Sequence, residues 1–271
     1  MMRKALVYVA LACGALIFLY PFVWMIAATF KPEPEIVGFA LWSSHPTDEN
    51  YRFVFGKIPI LKGFLNSLVV SLTVTTSVVI FGAVAGYALS RLRFRGRDAI
   101  FNLALLTMMI PSQLTLVPLY TLMTKLGWVN SRLSLIVPAM MSSYATLLFR
   151  QFFLAIPQSL IDAARLDGCS DWTILLRIVA PLSKPVVATV AILTFMGVWN
   201  DVLWPLMVIR DQDLMTMPLM VTLFAVGGQA EARLGAQLAA ATLLALPIIA
   251  AYLFLQRYLI ESLASSGIKG L

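Results

Sequence analysis

Charge is what this 271-residue chain has least of: Asp, Glu, Lys and Arg make up 12% of it, about half the share of an ordinary soluble domain. It has one histidine, His45 beside Pro46, so no histidine-based metal cluster or catalytic dyad is possible. Its two cysteines do not make a disulfide scaffold, because Cys13 falls inside a long apolar run and Cys169 in a charged segment. Neither G-x-x-x-x-G-K-[ST] nor G-x-G-x-x-G occurs, which leaves the chain without a recognisable nucleotide-binding loop. Enzymatic chemistry is not expected of it, nor is a metal or cofactor bound by this chain.

What is abundant is apolar surface. Sixty per cent of residues are hydrophobic and the mean hydropathy is +0.88. A bilayer core of about 30 Å needs roughly 20 apolar residues of helix. Four stretches without a charge reach that length: Ala5 to Phe30, Gly63 to Ser90, Ala99 to Thr124 and Leu234 to Gln256. Leu133 to Phe149 and Pro185 to Asn200 are shorter, the second extending through Asp201 to Ile209. The runs are continuously apolar, without the in-out alternation of a β-barrel. The fold class is therefore all-α, a polytopic membrane protein with six spans. Leu214 to Ala230 is read as an apolar loop against the membrane surface, interrupted by Thr216, Pro218, Thr222, Gly227, Gly228 and Gln229.

With six spans, one face collects twelve cations against five acids and the other eight against eight. The positive-inside rule makes the first face cytoplasmic and puts both termini there. The run from Arg91 to Arg97 sits where a helix leaves the membrane, so it reads as a topogenic loop facing lipid headgroups and not as a nucleic-acid patch. Ala10-Leu11-Ala12-Cys13 superficially resembles a lipoprotein cleavage site, but the apolar run continues past it and the first span is expected to be retained.

Prolines 21, 111, 118, 138, 205 and 247 interrupt five of the six spans, which suits either static kinks or a bundle that changes shape. Gly82-x-x-x-Gly86 suits a close helix contact. Trp199-Asn200-Asp201 brings a carboxylate to the outer end of the fifth span, where it marks a pathway, a buried partner or a solvated interface.

The longest cytoplasmic segment runs from Pro157 to Pro185. Pro157 starts a helix, Gly168 ends it, Ser170 caps a second helix and Pro181 stops that one. Trp172, Leu175, Leu176 and Val179 are spaced as one apolar stripe. The result is a helix-turn-helix that leaves Asp162 and the small Ala163 and Ala164 to slot into a partner, or a plain amphipathic interfacial helix.

These residues carry a resemblance. Asp162-Ala163-Ala164-x-x-x-Gly168, followed by Pro181-Leu182 and Pro185, resembles the EAA loop of the inner-membrane permeases of ATP-binding cassette importers. Phe30-Lys31-Pro32, Asn50-Tyr51, Asn66-Ser67, the stretch Tyr87 to Gly96, Ile110-Pro111, Pro118-Leu119-Tyr120, Trp199-Asn200-Asp201 and Gln256-Arg257-Tyr258 resemble the carbohydrate-uptake branch. Within it, the likeness is to the second permease of maltose-type and sn-glycerol-3-phosphate-type systems, and it covers essentially the whole chain.

The resemblance implies a bacterial inner-membrane permease of a type I importer for a sugar, oligosaccharide or sugar-like polyol or glycerol phosphate. It implies as partners a second homologous permease, two copies of a cytoplasmic ATPase that uses ATP and Mg, and an external solute-binding protein. By position, Asp162, Ala163, Ala164, Asp167 and Gly168 would couple to the ATPase; the family's first position is usually Glu, and Asp162 is one methylene shorter. Leu214 to Ala230 would be the outer loop reaching into the binding protein, and Gly267, Lys269 and Gly270 a tail contacting the ATPases. Asn66, Ser67, Trp199, Asn200 and Asp201 suit hydroxyl hydrogen bonds and stacking on a sugar face. The implied organisation is a first helix and outer loop over 1–62, a permease domain over 63–257 with its EAA loop at about 157–185, and a cytoplasmic tail over 258–271. A stand-alone secondary transporter and a non-transporting scaffold are the alternatives; few intramembrane acids and no visible repeat speak against the first.

Overall fold

The structure is a computed structural model that describes residues 2–38 and 40–267; the described residues form helices and no strands. In chain order these are α1 (Met2–Thr29), α2 (Glu33–Ile36), α3 (Glu49–Lys57), α4 (Ile60–Arg91), α5 (Arg97–Met108), α6 (Ser112–Lys125), α7 (Arg132–Ile136) and α8 (Ser143–Ala155). They continue with α9 (Gln158–Leu166), α10 (Asp171–Ile174), α11 (Ala180–Leu182), α12 (Lys184–Trp199), α13 (Leu203–Val208), α14 (Met217–Val226) and α15 (Leu234–Gly267). Four stretches are long and apolar enough to cross a membrane: Leu6–Thr29, Ile60–Arg91, Arg132–Ala155 and Leu234–Phe254. Two bent pairs, Arg97–Met108 with Ser112–Lys125 and Asp171–Leu182 with Lys184–Trp199, raise the count to six when each is taken as one span, the number the hydropathy gives.

The core forms around α4. Its Gly82 and Gly86 let α8 approach closely: a Cβ on Gly86 would lie 2.6 Å from the Cβ of Phe149 and 3.0 Å from the backbone N of Arg150. One apolar cluster joins α4, α8, α9, α10 and α12 around Phe149, Phe153, Ile161 and Ile174. A second joins α3, α12, α14 and α15 around Trp199, Phe224 and the small residues Ala236, Ala239 and Ala240, whose size permits near backbone contact in a bilayer. By contrast, α1 is exposed along most of its length, and among its described side chains only Ala27, Ala28 and Thr29 of the last turn are buried. Its end is tied down by Asn50, whose amide donates to the carbonyls of Thr29 and Lys31 at 2.9 Å each.

Several elements differ from the sequence reading. The third span is not continuous: α5 and α6 meet at 100°. Pro111 precedes α6 in an extended conformation, and proline biases the residue before it away from helix. The fifth span does not run on to Ile209; α12 ends at Trp199, and after Asn200 a new short helix, α13, begins where the Asp201 carboxylate accepts from the Trp204 N–H at 3.3 Å. Nor is Leu214 to Ala230 a surface loop. Met217–Val226 is a helix with Met217, Pro218, Leu219, Met220, Val221 and Phe224 buried, because its residues are apolar on all sides and only the bundle can cover them. Its exposed tip begins at Val226, 82% exposed, and includes Gly227, Gly228 and Glu231. There the Lys57 ammonium, 2.6 Å away, holds the Glu231 carboxyl below the ordinary carboxylate range.

Candidate functional site

Hydrogen bonds between helix ends gather two working regions at opposite ends of α4. At the end carrying Arg91, the 157–185 segment has the caps its sequence predicts. Gly168 takes a left-handed φ of +78°, and the Ser170 hydroxyl accepts from the Thr173 N–H at 3.3 Å. The apolar stripe is displaced, however. Ile174, Leu175 and Val179 are buried, whereas Trp172 and Leu176 are 62% and 64% exposed. A π-turn over Leu175–Val179 adds a residue to the helical repeat and rotates the buried face. The chain then meets α12 at 81°, beyond Pro181.

This segment is fastened to α4 at two points. The Arg91 guanidinium donates to the carbonyls of Phe153 and Ile156 and to Oε1 of Gln158, and the Gln158 amide in turn donates to Asp162 at 2.9 Å. The Tyr87 hydroxyl donates to Oδ1 of Asp171 at 3.2 Å, and Arg165 donates to the same oxygen at 3.0 Å. That hydrogen bond raises the Arg165 guanidinium above its ordinary value. Of the predicted contact residues, Asp162, Ala163, Asp167 and Gly168 are exposed, but Ala164 is buried with Ile161 against the bundle. Beside the exposed set, Leu166 is 89% exposed. Sequence reasoning passed over Arg91 as one more charge of a topogenic run, and over Leu166 because it belongs to no stripe. Gly267 is the last residue of α15; Lys269 and Gly270 lie outside the described residues.

At the other end of α4, Asn66 and Ser67 face the chain between α13 and α14. The Asn66 amide donates to the carbonyls of Asp213 and Met215 at 2.8 and 3.1 Å and accepts from Arg132 at 2.8 Å. Ser67 accepts the Met217 N–H at 2.7 Å, capping α14 from outside. Trp199 is fully buried, stacked on Phe195 at 5.5 Å, with its indole N–H donating to the Leu244 carbonyl. Asn200 is exposed and donates to the Met196 carbonyl. Asp201 alone of these five lines a cavity of about 520 Å³, together with Gln113, Thr115, Trp204 and Thr216. The five are thus not one cluster. The polar residues of α6 and Thr216 were not legible as a site, because the elbow between α5 and α6 that brings them together follows from no hydropathy window.

A sequence profile described as binding-protein-dependent transport system inner membrane component matches residues 78–264. The chain is 35% identical to the arabinooligosaccharides transport system permease protein of Halalkalibacterium halodurans, covering 98% of this chain and 96% of the relative. It is 31% identical to the sn-glycerol-3-phosphate transport system permease protein of Pectobacterium atrosepticum, covering 96% and 95%. In structure it is similar, with a TM-score of 0.80 and 23% identity over 95% of this chain and 96% of the other, to a chain in the crystal structure of a bacterial ABC transporter involved in the import of the acidic polysaccharide alginate.

Proposed function

The chain belongs to the family of binding-protein-dependent transport system inner membrane components, and on that premise we propose how its parts meet their partners. It is a permease subunit of a sugar-type ABC importer and not an enzyme. We assign it a solute drawn from sugars, oligosaccharides or sugar-like polyols and their phosphates. A second homologous permease completes the pathway. Two copies of a cytoplasmic ATPase supply the driving reaction with ATP and Mg, and a solute-binding protein delivers the load from the other side. The basic end of α4 and both termini face the cytoplasm, following the charge asymmetry. Gly267, Lys269 and Gly270 are assigned to a tail beside the ATPases.

The observation that supports this reading best is the exposed surface of Asp162, Ala163 and Leu166 on a short helix that Arg91 holds to both α4 and α8. An unpartnered apolar side chain beside a carboxylate suits a groove on a partner, and the Arg91 contacts give a push on α9 a rigid route into the bundle. Affinity purification of the tagged chain from native membranes in mild detergent tests it. An ATPase, a second permease and vanadate-sensitive ATP hydrolysis are expected in the eluate; a chain that elutes alone and inactive would overturn the assignment.

A further inference from the structure

The run from Arg91 to Asp98 carries four arginines against one acid at the junction where α4 ends and α5 begins. The structure divides these charges by task. Arg91 caps α8 and reaches Gln158, so its guanidinium is engaged inside the chain. Arg150, the one cation of α8, is engaged as well, over the Phe101 ring at 3.9 Å and on the Leu89 carbonyl at 3.3 Å. Arg93 and Arg95, by contrast, are exposed and form no hydrogen bond or ion pair among the described residues. Arg97 meets only its neighbour Asp98, through Nε at 3.2 Å, which leaves the terminal nitrogens of its guanidinium free among the described residues. Gly96, with a left-handed φ of +87°, folds the chain so that Arg93, Phe94, Arg97, Asp98 and Ala99 line one cavity of about 440 Å³. Beside these charges the surface is apolar, with Phe94, Ile100 and Leu103 exposed.

We propose that this cavity binds the headgroup of an anionic phospholipid of the cytoplasmic leaflet, its phosphate held by Arg93 and Arg97 from the wall and by Arg95 beside it. The proposal rests on the orientation assigned above, which puts this end of α4 at that leaflet. It makes the run more than a charge that orients the chain, because it assigns three of the four arginines to one bound lipid and keeps the fourth for the helix clamp. A guanidinium offers a planar fork to two phosphate oxygens, and basic pockets between helices on this side of a membrane suit anionic headgroups. Asp98 offsets one of the three cations and leaves two. A zwitterionic headgroup would bring its own cation into that cluster and lose the gain. The exposed Phe94 and Ile100 favour a lipid over an acidic protein surface, since acyl chains cover apolar side chains that such a surface would leave unmatched.

The test uses the assembled importer in nanodiscs of phosphatidylcholine with a minor share of phosphatidylglycerol of the same acyl chains. Phe94 is replaced by the photo-cross-linker p-benzoylphenylalanine, and mass spectrometry after irradiation identifies what lies against it. The ratio of phosphatidylglycerol to phosphatidylcholine among the adducts is expected to exceed that of the bilayer by roughly thirtyfold, the gain from two unpaired arginines at a membrane surface. Arg93→Gln with Arg95→Gln is expected to return the ratio close to the bilayer's. Both side chains are exposed, so the fold should tolerate the change. Arg93→Lys with Arg95→Lys keeps the charge and is expected to retain most of the preference, and Arg177→Gln, at an exposed arginine elsewhere on the same face, to leave it intact. A ratio equal to the bilayer's before substitution, a ratio that the double change to glutamine leaves unmoved, no lipid adduct, or a cross-link to a partner polypeptide in place of lipid would overturn the proposal. Both leaflets of the disc hold the same lipids, so the result does not depend on orientation. Labelling of Arg95→Cys by a membrane-impermeant maleimide in inverted vesicles, with Cys13 and Cys169 replaced by alanine, checks the orientation by itself. Vanadate-sensitive ATP hydrolysis of the nanodiscs checks the importer reading, so the failure of one is not mistaken for the failure of another.

Discussion

The guanidinium of Arg91 closes the C-terminal end of α8, donating to the carbonyls of Phe153 and Ile156 from the last turn of α4. Those carbonyls belong to the set that a helix end leaves unsatisfied, and a cation there is favoured by the helix dipole.

Removing that cap has two expected results. Arg91→Ala leaves the carbonyls and Gln158 without their donor, and we expect a loss of about 2 kcal/mol, within the range for hydrogen bonds to a charged group. Thermal unfolding of the purified complex measures it. Arg91→Lys restores the charge but not the planar fork, so it is expected to recover part of the stability and little of the stimulation of ATP hydrolysis by loaded binding protein.

Gly86 reports on the contact between α4 and α8. Gly86→Ala places a methyl 2.6 Å from the Phe149 Cβ. Helix propensity favours the substitution, yet overpacking is expected to win, with a net loss of roughly 1–3 kcal/mol. Gly14, with open space around its Cβ position, is the control: Gly14→Ala is expected to leave the melting temperature unchanged or raise it slightly.

Asp162 separates assembly from coupling. It is exposed and bonded only to Gln158 one turn before it, so Asp162→Ala is expected to change stability by less than about 0.5 kcal/mol. On the proposed docking of α9 against the ATPase, with Asp162 pairing to a basic residue there, transport-coupled ATP hydrolysis is expected to fall severalfold. An unchanged rate with intact assembly would remove Asp162 from the interface.

Asn66 is expected to act through the loop it holds. Asn66→Ala deprives two carbonyls and Arg132 of their partner, at a cost of about 1–3 kcal/mol for buried groups left unsatisfied. Hydrogen exchange of residues 211–217 should quicken, while the preference among saccharides stays as it is. A shift in preference without faster exchange would instead put Asn66 in the pathway.

Much of this was legible in the sequence wherever one signal dominated. The uncharged runs located α1, α4 and α15, because hydropathy over twenty residues overwhelms local detail. Pro157, Gly168 and Ser170 marked the ends of α9 and the start of α10, because caps depend on residues a turn away. What failed were features that depend on direction or on distant partners. Hydropathy cannot distinguish a straight span from one that turns at Pro111, nor an apolar loop from the buried α14. The spacing of Trp172 and Leu176 assumes a regular helix, which the π-turn at Leu175–Val179 violates. Asn66, Ser67 and Trp199 carry polar groups suited to a ligand, but the fold uses those groups on its own backbone.

The two clamps stand on one uninterrupted helix. Arg91 grips α8 and α9 at one end of α4, and Asn66 with Ser67 grips the approach to α14 at the other. Twenty-five residues separate Asn66 from Arg91, about 38 Å at the rise of an α-helix, and no proline falls between Ile60 and Arg91 to soften the rod. Mechanically, α4 is a drive shaft: torque applied at its basic end arrives at the far end as movement of the chain that leads into α14, with the spacing between the two grips fixed by a single element.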